Sequence, residues 1–337
     1  MGNCLFLALI FLFFKEKTMG KIYLNGKEIK IIVSMTTIPK RKDRLIDNLP
    51  YLLNQSYHFD KFIINIDDNL SEEDYKWYNE LKEKDERIEI NKAEAKWRSC
   101  NKLLPTLKSY PDDVIITLDD DIAYPPHTIK CLIDEYVKNP AYIIAHEINP
   151  IVLIDKKYVT YLNAYDAMLK QKEWGKYFSN CCLFPPHVFD GSDLYDYDKM
   201  MECTNGTHDE LWFWVNSTIN GVQCIGLNYV KSFAPEMLRQ YEEGEYQLTA
   251  INNSNEKITE YMDKINEIYG ERLISNILSK KVIFTINQDN IYAFEYLLPK
   301  IMNLYRDGFL VKTEGLTKDW DDELIREIEY EKRRIDR

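Results

Sequence analysis

VIITLDDD, residues 114–121, is the stretch of sequence that decides the fold. Its first five residues are aliphatic or β-branched and show no polar alternation, a pattern typical of a strand buried on both faces of a sheet. Three carboxylates follow at once, and they repel one another unless a cation lies close. Mg²⁺ and Mn²⁺ prefer such oxygen ligands, often beside substrate phosphates. Because ligands gather at the carboxyl ends of strands in α/β sheets, we expect chemistry at this strand end.

The three aspartates are expected to face different ways. Side chains alternate along a strand, so Asp119 and Asp121 would point to one side and Asp120 to the other if the extended backbone continues. The alternative is a solvated acidic turn, which is common. The apolar strand before the aspartates and the Tyr-Pro-Pro sequence at 124–126 favour the functional interpretation.

Strands alternate with helices along the first 140 residues. Apolar runs and helical spacing predict strands at 31–35, 61–66, 87–90 and 114–118, and helices at 44–53, from Ser71 onward, and at 101–107. This order predicts the α/β class, with a mostly parallel sheet of the doubly wound type. Neither G-x-G-x-x-G nor G-x-x-x-x-G-K-[ST] follows any strand, so dinucleotide-binding oxidoreductases and P-loop phosphotransferases are not expected.

Three regions of different character divide the chain. Residues 1–28 are a short apolar leader, residues 29–240 form the main domain, and residues 241–337 form a mainly helical C-terminal extension. Residues 141–230 of the main domain are rich in aromatics and less periodic, as substrate-binding loops often are. The extension is predicted to contain a helix at 258–278, a strand at 281–286 and a charged amphipathic helix at 320–337.

Composition narrows the possible partners and the compartment. The 337-residue chain carries a net charge of −12, which argues against a nucleic-acid binder because no basic field is present to replace phosphate counterions. It has 7 cysteines without CxxC pairs, a number and spacing that favour a reducing compartment over a disulfide framework. We therefore expect a cytoplasmic protein without nucleic-acid partners.

The leader leaves membrane contact open. Its unbroken apolar run, Cys4–Phe14, is shorter than the roughly 20 residues that span a bilayer. It lacks the basic start and small-residue cleavage site of a signal peptide, and Met19 offers a second start. The leader is thus interpreted either as a weak, peripheral contact with the inner face of the cell membrane or as a segment outside the working protein.

A second acidic cluster, THDE at 207–210, precedes the apolar run LWFWV. Acidic residues suit the first turn of a helix, so plain N-terminal capping is one interpretation. The other combines both clusters, since one could hold a metal diphosphate while a carboxylate of the other serves as base for an incoming hydroxyl. His208 is interpreted as a metal ligand, a hydrogen-bond partner or neither.

Taken in order, several segments between about residues 30 and 230 resemble a known family. They are TTIPKR at 36–41, CNKLLPTL at 100–107, YPDDVIITLDDDIAYP at 110–125, CLFPP at 182–186 and HDELWFW at 208–214. Together they are similar to bacterial family 2-like glycosyltransferases of the GT-A fold. The resemblance implies a GT-A-type, Rossmann-like nucleotide-binding sheet flanked by helices, with a smaller helical extension.

The resemblance also implies a role for each matching residue. Asp209 would be the general base, with Glu210 as the alternative, and Asp121 and Asp119 would bind the metal, Mn²⁺ or Mg²⁺. The residues that would bind the nucleotide sugar are Thr36, Thr37, Arg41, Asp67, Asn101, Lys102, Asp119 and Asp120.

The implied reaction moves a sugar from a nucleotide-sugar donor, UDP- or GDP-linked, to a hydroxyl of a glycan or lipid-linked acceptor. Inversion and a place in surface polysaccharide or glycoconjugate synthesis follow from the resemblance. A carboxylate-held cation would stabilise the charge that develops on the leaving diphosphate, and a carboxylate across from it would activate the attacking oxygen. A sugar nucleotidyltransferase and a non-catalytic carbohydrate-binding relative are the alternatives.

Two departures from the family pattern bear on the site. Residues 179–182 read SNCC where relatives tend to carry glycines, which would alter the donor or acceptor pocket. His208 is the last histidine of the chain, so no histidine downstream of the expected base could bind the metal. Metal binding would then rest on the aspartates, the diphosphate and water.

Overall fold

The computed structural model describes most of the region between residues 22 and 227 and four shorter segments after it. The described residues are 22–24, 26–154, 157–160, 174–222, 224–227, 238–239, 255–278, 282–285 and 311–314. The apolar run of the leader and the predicted helix at 320–337 lie outside them. Among the described residues, no helix is long and apolar enough to cross a bilayer.

A short antiparallel hairpin precedes the main sheet. It joins β1 (Ile22–Leu24) to β2 (Lys27–Ile29), and Gly26 makes the turn at φ +78°. Glycine adopts this left-handed conformation without steric cost. Ile22 and Ile29 are buried in the main core, so the folded structure already includes the end of the segment assigned to the leader.

The first half of the main sheet is parallel, as the alternation of strands and helices predicted. Its strands are β3 (Ile31–Thr36), β4 (Lys61–Asp67), β5 (Ile88–Ala93) and β6 (Val114–Thr117). Strand β3 pairs with β4 and β6, and β4 pairs with β5, all in parallel. All four residues of β6 are buried, which confirms the strand buried on both faces.

Helices connect these strands. They are α1 (Lys42–Leu53), α2 (Glu72–Glu80), α3 (Leu104–Ser109) and α4 (Thr128–Lys138), with 3₁₀ turns at Pro39–Arg41, Leu81–Glu83 and Ala95–Lys102. Ser71 caps α2 by accepting a hydrogen bond from the backbone of Asp74, as its sequence predicted. The helix predicted at 101–107 is instead the end of a 3₁₀ segment followed by α3, and Leu103, at φ −123°, separates the two.

The second half of the sheet is largely antiparallel. After the short β7 (Ile122–Ala123), its strands are β8 (Ile143–Ile154), β9 (Lys157–Thr160), β10 (Trp174–Phe184) and β11 (Cys224–Gly226). Strand β10 pairs antiparallel with β6 and β8, and β11 pairs parallel with β8. Residues 141–230, whose aromatic-rich and less periodic sequence is typical of substrate-binding loops, therefore contribute β8 to β11 to the sheet. The SNCC segment, residues 179–182, coincides with a register shift in the β10–β8 pairing.

Two helices and a C-terminal segment complete the described structure. Helices α5 (Tyr197–Thr204) and α6 (Asp209–Ile219) follow β10, and β12 (Leu238–Arg239) pairs with β7. In the C-terminal extension, α7 (Asn255–Leu278) precedes the parallel pair β13 (Val282–Thr285) and β14 (Val311–Glu314). The helix predicted at 258–278 and the strand predicted at 281–286 are confirmed within three residues.

The sheet separates two hydrophobic clusters. Val33, Ile116 and Leu49 belong to the cluster that contains the buried side of α1, whereas Ile32 and Ile115 belong to the cluster that contains α6 and α7. Alternate residues of β3 and β6 thus bury their side chains on opposite faces. The predicted α/β fold is confirmed: in the main sheet, 4 of the 7 strand pairings are parallel, and helices flank it.

Candidate active site

The carboxyl ends of three parallel strands bring the predicted residues to one edge of the sheet. Thr36 pairs in register with Asn65 of β4, and Ser34 pairs with Thr117 of β6. Asp67 ends β4, and Asp119 follows β6 by two residues. The edge where these strands end is the position at which open α/β sheets bind ligands.

Asp120 is turned into the protein at this edge. Its Oδ2 accepts a hydrogen bond from Thr37 Oγ1 at 2.7 Å, and its Oδ1 is 2.7 Å from Arg41 Nη1. Asn48 Nδ2 donates to its backbone carbonyl at 2.8 Å, and the residue is 2% exposed. Burial raises the pKa of Asp120, although Arg41 and Thr37 act in the opposite direction. Both carboxylate oxygens are thus engaged by residues that follow β3.

Strand β6 ends at Thr117, so the expected alternation does not extend through the aspartates. Asp119 is half-buried, and its backbone N–H donates to the Tyr124 hydroxyl at 2.8 Å. Asp121 is also half-buried and forms the turn into β7 together with Asp120. Asp119 and Asp120 contact different partners, but the alternation that was expected if the strand continued is not the cause, because β6 ends before them and a turn begins at Asp120.

Lys102 connects the two acidic clusters. Its Nζ lies 3.0 Å from Asp119 Oδ1, 2.9 Å from Asp209 Oδ2 and 3.7 Å from Glu210 Oε1. Its side chain is 9% exposed. Burial acts to lower the pKa of Lys102, but the three carboxylates outweigh it and raise that pKa. A permanent ammonium therefore lies between carboxylates that are 90 residues apart in the sequence.

A buried polar network fixes the backbone beneath Lys102. Ser34 Oγ donates to the Lys102 carbonyl at 2.7 Å and lies 2.6 Å from Thr106 Oγ1. Asn65 Nδ2 donates to both hydroxyls at 3.1 Å, and its Oδ1 accepts from Asn91 Nδ2. Ser34, Asn65 and Thr106 are fully buried, so each depends on the others for its hydrogen bonds, and the network holds the Lys102 segment against β3 and β4.

Asp209 and Glu210 form the first turn of α6 and differ in their surroundings. The Asp209 side chain is 4% exposed and the Glu210 side chain 23%. Burial, together with the Glu210 charge, raises the pKa of Asp209 to about 6. Burial acts to raise the pKa of Glu210 as well, but Lys102 and His208 outweigh it and lower that pKa. His208 Nδ1 is 3.4 Å from Glu210 Oε2.

The remaining predicted residues lie close to this edge but have internal partners. Asn101 Nδ2 donates to Asp67 Oδ1 at 3.3 Å and to the Glu94 carbonyl at 3.0 Å, and Asn101 is fully buried. Burial raises the pKa of Asp67. Thr36 Oγ1 donates to the Asn65 carbonyl. Asp67 and Arg41 keep part of their surface exposed, whereas Thr37 and Asn101 are buried.

Besides the network beneath Lys102, three further supporting residues were not predicted from the sequence. Tyr124 holds the Asp119 backbone, Asn48 holds the Asp120 carbonyl, and Arg98 Nη1 donates to the Asn205 carbonyl before α6. All three act across 5 to 107 positions of sequence. Only Tyr124 had a local signal, because it follows the aspartates in the turn that closes the site.

The acidic residues suit a cation that is shared with a ligand. Within the described part of the chain, no group of three His, Cys, Asp or Glu residues could hold a metal by itself. Asp119 and Asp121 offer hard carboxylate oxygens at the half-buried edge. Mg²⁺ is commonly held by one or two carboxylates plus substrate phosphates and water, which is the donor set available here.

Comparison with known proteins bears on the enzyme class. Residues 37–186 match the family model of Glycosyl transferase family 2. The matched region, less than half of the chain, runs from Thr37 through the aspartate triplet to the end of the CLFPP segment. The match confirms the predicted class of enzyme, a glycosyltransferase, and the predicted similarity to family 2.

The other comparisons found little similarity in sequence. No curated protein matches the chain. Among solved structures, the chain is similar to the mannosyltransferase PcManGT from Pyrobaculum calidifontis in complex with GDP-Man and Mn²⁺. Identity is 11%, the match covers 82% of this chain and 81% of that chain, and the TM-score is 0.43.

Proposed function

We propose that this glycosyltransferase moves a sugar from a UDP- or GDP-linked donor to a hydroxyl of a glycan or lipid-linked acceptor, with the help of Mn²⁺ or Mg²⁺. The observation that carries the proposal is the meeting of the two acidic clusters at Lys102, with 3.0 Å to Asp119 and 2.9 Å to Asp209. A transfer reaction needs the leaving diphosphate and the attacking hydroxyl on either side of one sugar carbon. Two acidic groups held beside each other match that need.

Asp119 and Asp121 are proposed to face the donor diphosphate and to hold the cation. A bound Mn²⁺ or Mg²⁺ would neutralise the charge of the leaving diphosphate. Lys102 adds a fixed positive charge on the same side, next to Asp119. It is already in place before the reaction, so no solvent needs to reorganise as charge develops.

Asp209 is proposed to take the proton of the acceptor hydroxyl. The activated oxygen then attacks the sugar carbon from the side opposite the leaving diphosphate, and this single displacement inverts the configuration. A base works best when its pKa lies near the working pH, and the raised pKa of Asp209, about 6, supports this assignment. Glu210 is the alternative because its side chain is more exposed, at 23% against 4%. Replacing each carboxylate by its amide distinguishes them.

The region after β3 is proposed to bind the nucleotide in part through Arg41. The Arg41 side chain is 20% exposed, and Asp120 fixes its Nη1. Since both oxygens of Asp120 are engaged by Thr37 and Arg41, we assign Asp120 and Thr37 to positioning Arg41 and not to donor contact. Asp67, with Asn101 behind it, is proposed to contact the base, and Thr36 lines the same edge.

A turnover panel tests the proposal. Purified protein with Mn²⁺ is offered UDP- and GDP-sugars with glycan and lipid-linked acceptors, and release of nucleoside diphosphate is measured for wild type, Asp121→Ala and the surface control Asp134→Ala. Wild type and control are expected to release nucleoside diphosphate, and Asp121→Ala is expected to lose most activity. Absence of turnover with every donor refutes the proposal, and pyrophosphate release from a nucleoside triphosphate and a sugar phosphate would identify a nucleotidyltransferase.

The base assignment has its own test in the same assay. Asp209→Asn is expected to abolish transfer, with Glu210→Gln retaining part of it. The reverse result would move the base to Glu210 and leave the reaction class intact. The proposed pathway is surface polysaccharide or glycoconjugate synthesis at the cytoplasmic face of the membrane, and activity with lipid-linked acceptors in the panel is the result that supports it.

A further inference from the structure

The turn that leads into α6 determines where Asp209 and Glu210 lie. Asn205 and Gly206 adopt positive φ values of +54° and +65°. A side chain at Gly206 would be strained by this backbone conformation, and its Cβ would lie 2.9 Å from Met201 Sδ, so the turn favours glycine here. Helix α6 begins at Asp209, and its first backbone hydrogen bond runs from Trp212 N to the His208 carbonyl at 3.2 Å. A shift of this turn would move both carboxylates.

A side chain from the C-terminal helix holds this turn. The Tyr261 hydroxyl, on α7, lies 2.8 Å from Thr207 Oγ1. Thr207 Oγ1 already donates its only proton to the Thr204 carbonyl at 3.1 Å. Tyr261 is therefore the donor in its bond to Thr207. The resulting chain of two hydrogen bonds runs from α7 through the turn to the end of α5.

Tyr261 also contacts the residue directly before the acid pair. Its ring packs edge-to-face against the His208 ring, with centroids 6.2 Å apart and an interplanar angle of 87°. His208 Nδ1 in turn lies 3.4 Å from Glu210 Oε2. One side chain thus reaches both Thr207 and His208, the two residues that precede Asp209.

Buried side chains anchor α7 against α6, so α7 can support the turn. Ile258, Met262 and Ile265 are buried in the same hydrophobic cluster as Phe213 and Trp214 of α6. Tyr261 is 3% exposed. From another part of the chain, Arg98 Nη1 donates to the Asn205 carbonyl at 3.0 Å. The turn is therefore held by two separate segments.

We propose that Tyr261 is a positioning residue: from the C-terminal helix it holds the turn at 205–208 and thereby sets the place of Asp209 and Glu210 for transfer. The inference rests on the proposed function, because the acid pair matters only if one of its members is the base. It gives the C-terminal helix an indirect part in catalysis, through the position of the acid pair. Misplacing reacting groups by about 1 Å can cost on the order of a hundredfold in rate, so a loosened turn is expected to slow the chemical step.

Tyr261→Phe tests this inference, and Tyr269→Phe is its matched control. Tyr269 lies on the same helix, is 2% exposed, and donates one hydrogen bond, to Asp193 Oδ2 at 3.0 Å. It is eight residues further on, about 12 Å along the helix axis. Both substitutions remove one hydroxyl and keep the ring, so both are expected to lower the thermal midpoint to a similar extent.

Only Tyr261→Phe is expected to lower kcat, by about fivefold to tenfold, with the donor KM unchanged. Thr207→Val breaks the bond to Tyr261 and also the bond to the Thr204 carbonyl, so it is expected to lower kcat at least as much as Tyr261→Phe. Because the two substitutions share one bond, the double variant is expected to lose less kcat than the product of the two single losses. Equal kcat values for Tyr261→Phe and Tyr269→Phe would overturn the inference. It would also be overturned if, in each of the two variants, kcat fell in proportion to the lost stability.

Amide hydrogen exchange provides a second readout that does not depend on activity. Exchange of the backbone amides at 205–212 is expected to be faster in Tyr261→Phe than in wild type and in Tyr269→Phe. Unchanged exchange there would refute the positioning role. If wild type transfers no sugar, the proposed function fails, and the exchange measurement still decides whether Tyr261 holds the turn.

Discussion

Replacing Lys102 with methionine removes the cation that joins the two acidic clusters while keeping the length of the side chain. Lys102 is 9% exposed and Asp209 4% exposed, so this ion pair is buried. Removing one partner of a buried pair costs about 3 to 5 kcal/mol, because the remaining charge has neither water nor counterion. Asp119 and Glu210 are 26% and 23% exposed and regain some hydration. We therefore expect the lower end, about 3 kcal/mol.

The cost should depend on pH in a defined direction. Lys102 lowers the pKa of Asp209, which burial raises to about 6 in the intact protein. Without Lys102 that pKa is higher still, so the folded variant binds a proton at pH values where the wild type does not. The destabilisation is then largest above neutrality and shrinks as pH falls, by about 1.4 kcal/mol for each unit of added pKa difference.

Denaturant unfolding at pH 7.5 and pH 5 measures both effects. Lys130→Met is the control, because Lys130 pairs with Asp134 at 2.7 Å on the surface, with both side chains about two-fifths exposed at 42% and 41%. Such a pair contributes about 0.2 to 1 kcal/mol. The reasoning is refuted if Lys102→Met and Lys130→Met lose the same stability at pH 7.5, or if the loss in Lys102→Met grows at pH 5.

Three further outcomes follow from the described contacts. In a plot of kcat/KM against pH, activity should fall on the acid side with a midpoint near pH 6. The reason is that the pKa of Asp209 is about 6, so the base is protonated and inactive at lower pH. A midpoint near pH 4 would contradict this assignment. Asp120→Asn should lower the free energy of unfolding by about 3 kcal/mol and raise the donor KM, since Arg41 loses its buried counterion. An unchanged KM would show that Arg41 does not contribute to donor binding. Gly206→Ala should destabilise by about 1 to 3 kcal/mol, because its φ of +65° and the 2.9 Å approach to Met201 both oppose a Cβ; a neutral effect would show that the turn yields.

The sequence predicted the framework of the site because the signals there are local. The unbroken apolar run of β6 indicated a strand buried on both faces, and all four residues Val114–Thr117 are buried. Strand and helix order indicated a largely parallel sheet, which brings strand ends to one edge. Acidic residues before LWFWV indicated the start of a helix, and α6 begins at Asp209.

The connections between these parts were not predictable, because they depend on pairing distant segments. Lys102 meets Asp209 across 107 positions, and nothing local to either residue specifies the contact. Alternation could not place Asp120, since it applies only while the strand continues and β6 ends at Thr117. Tyr261 carries no motif at all, and its contact with Thr207 depends on how α7 packs against α5 and α6.

Equilibrium binding of UDP and GDP, with and without Mn²⁺, tests the central claim most directly. The claim is that Asp119 and Asp121 hold a cation together with a nucleoside diphosphate. It predicts that one of the two nucleotides binds wild type and the Asp134→Ala control far more tightly with Mn²⁺, and that Asp121→Ala loses this dependence on Mn²⁺. Binding of neither nucleotide, or equal affinity with and without Mn²⁺ in all three proteins, would contradict it.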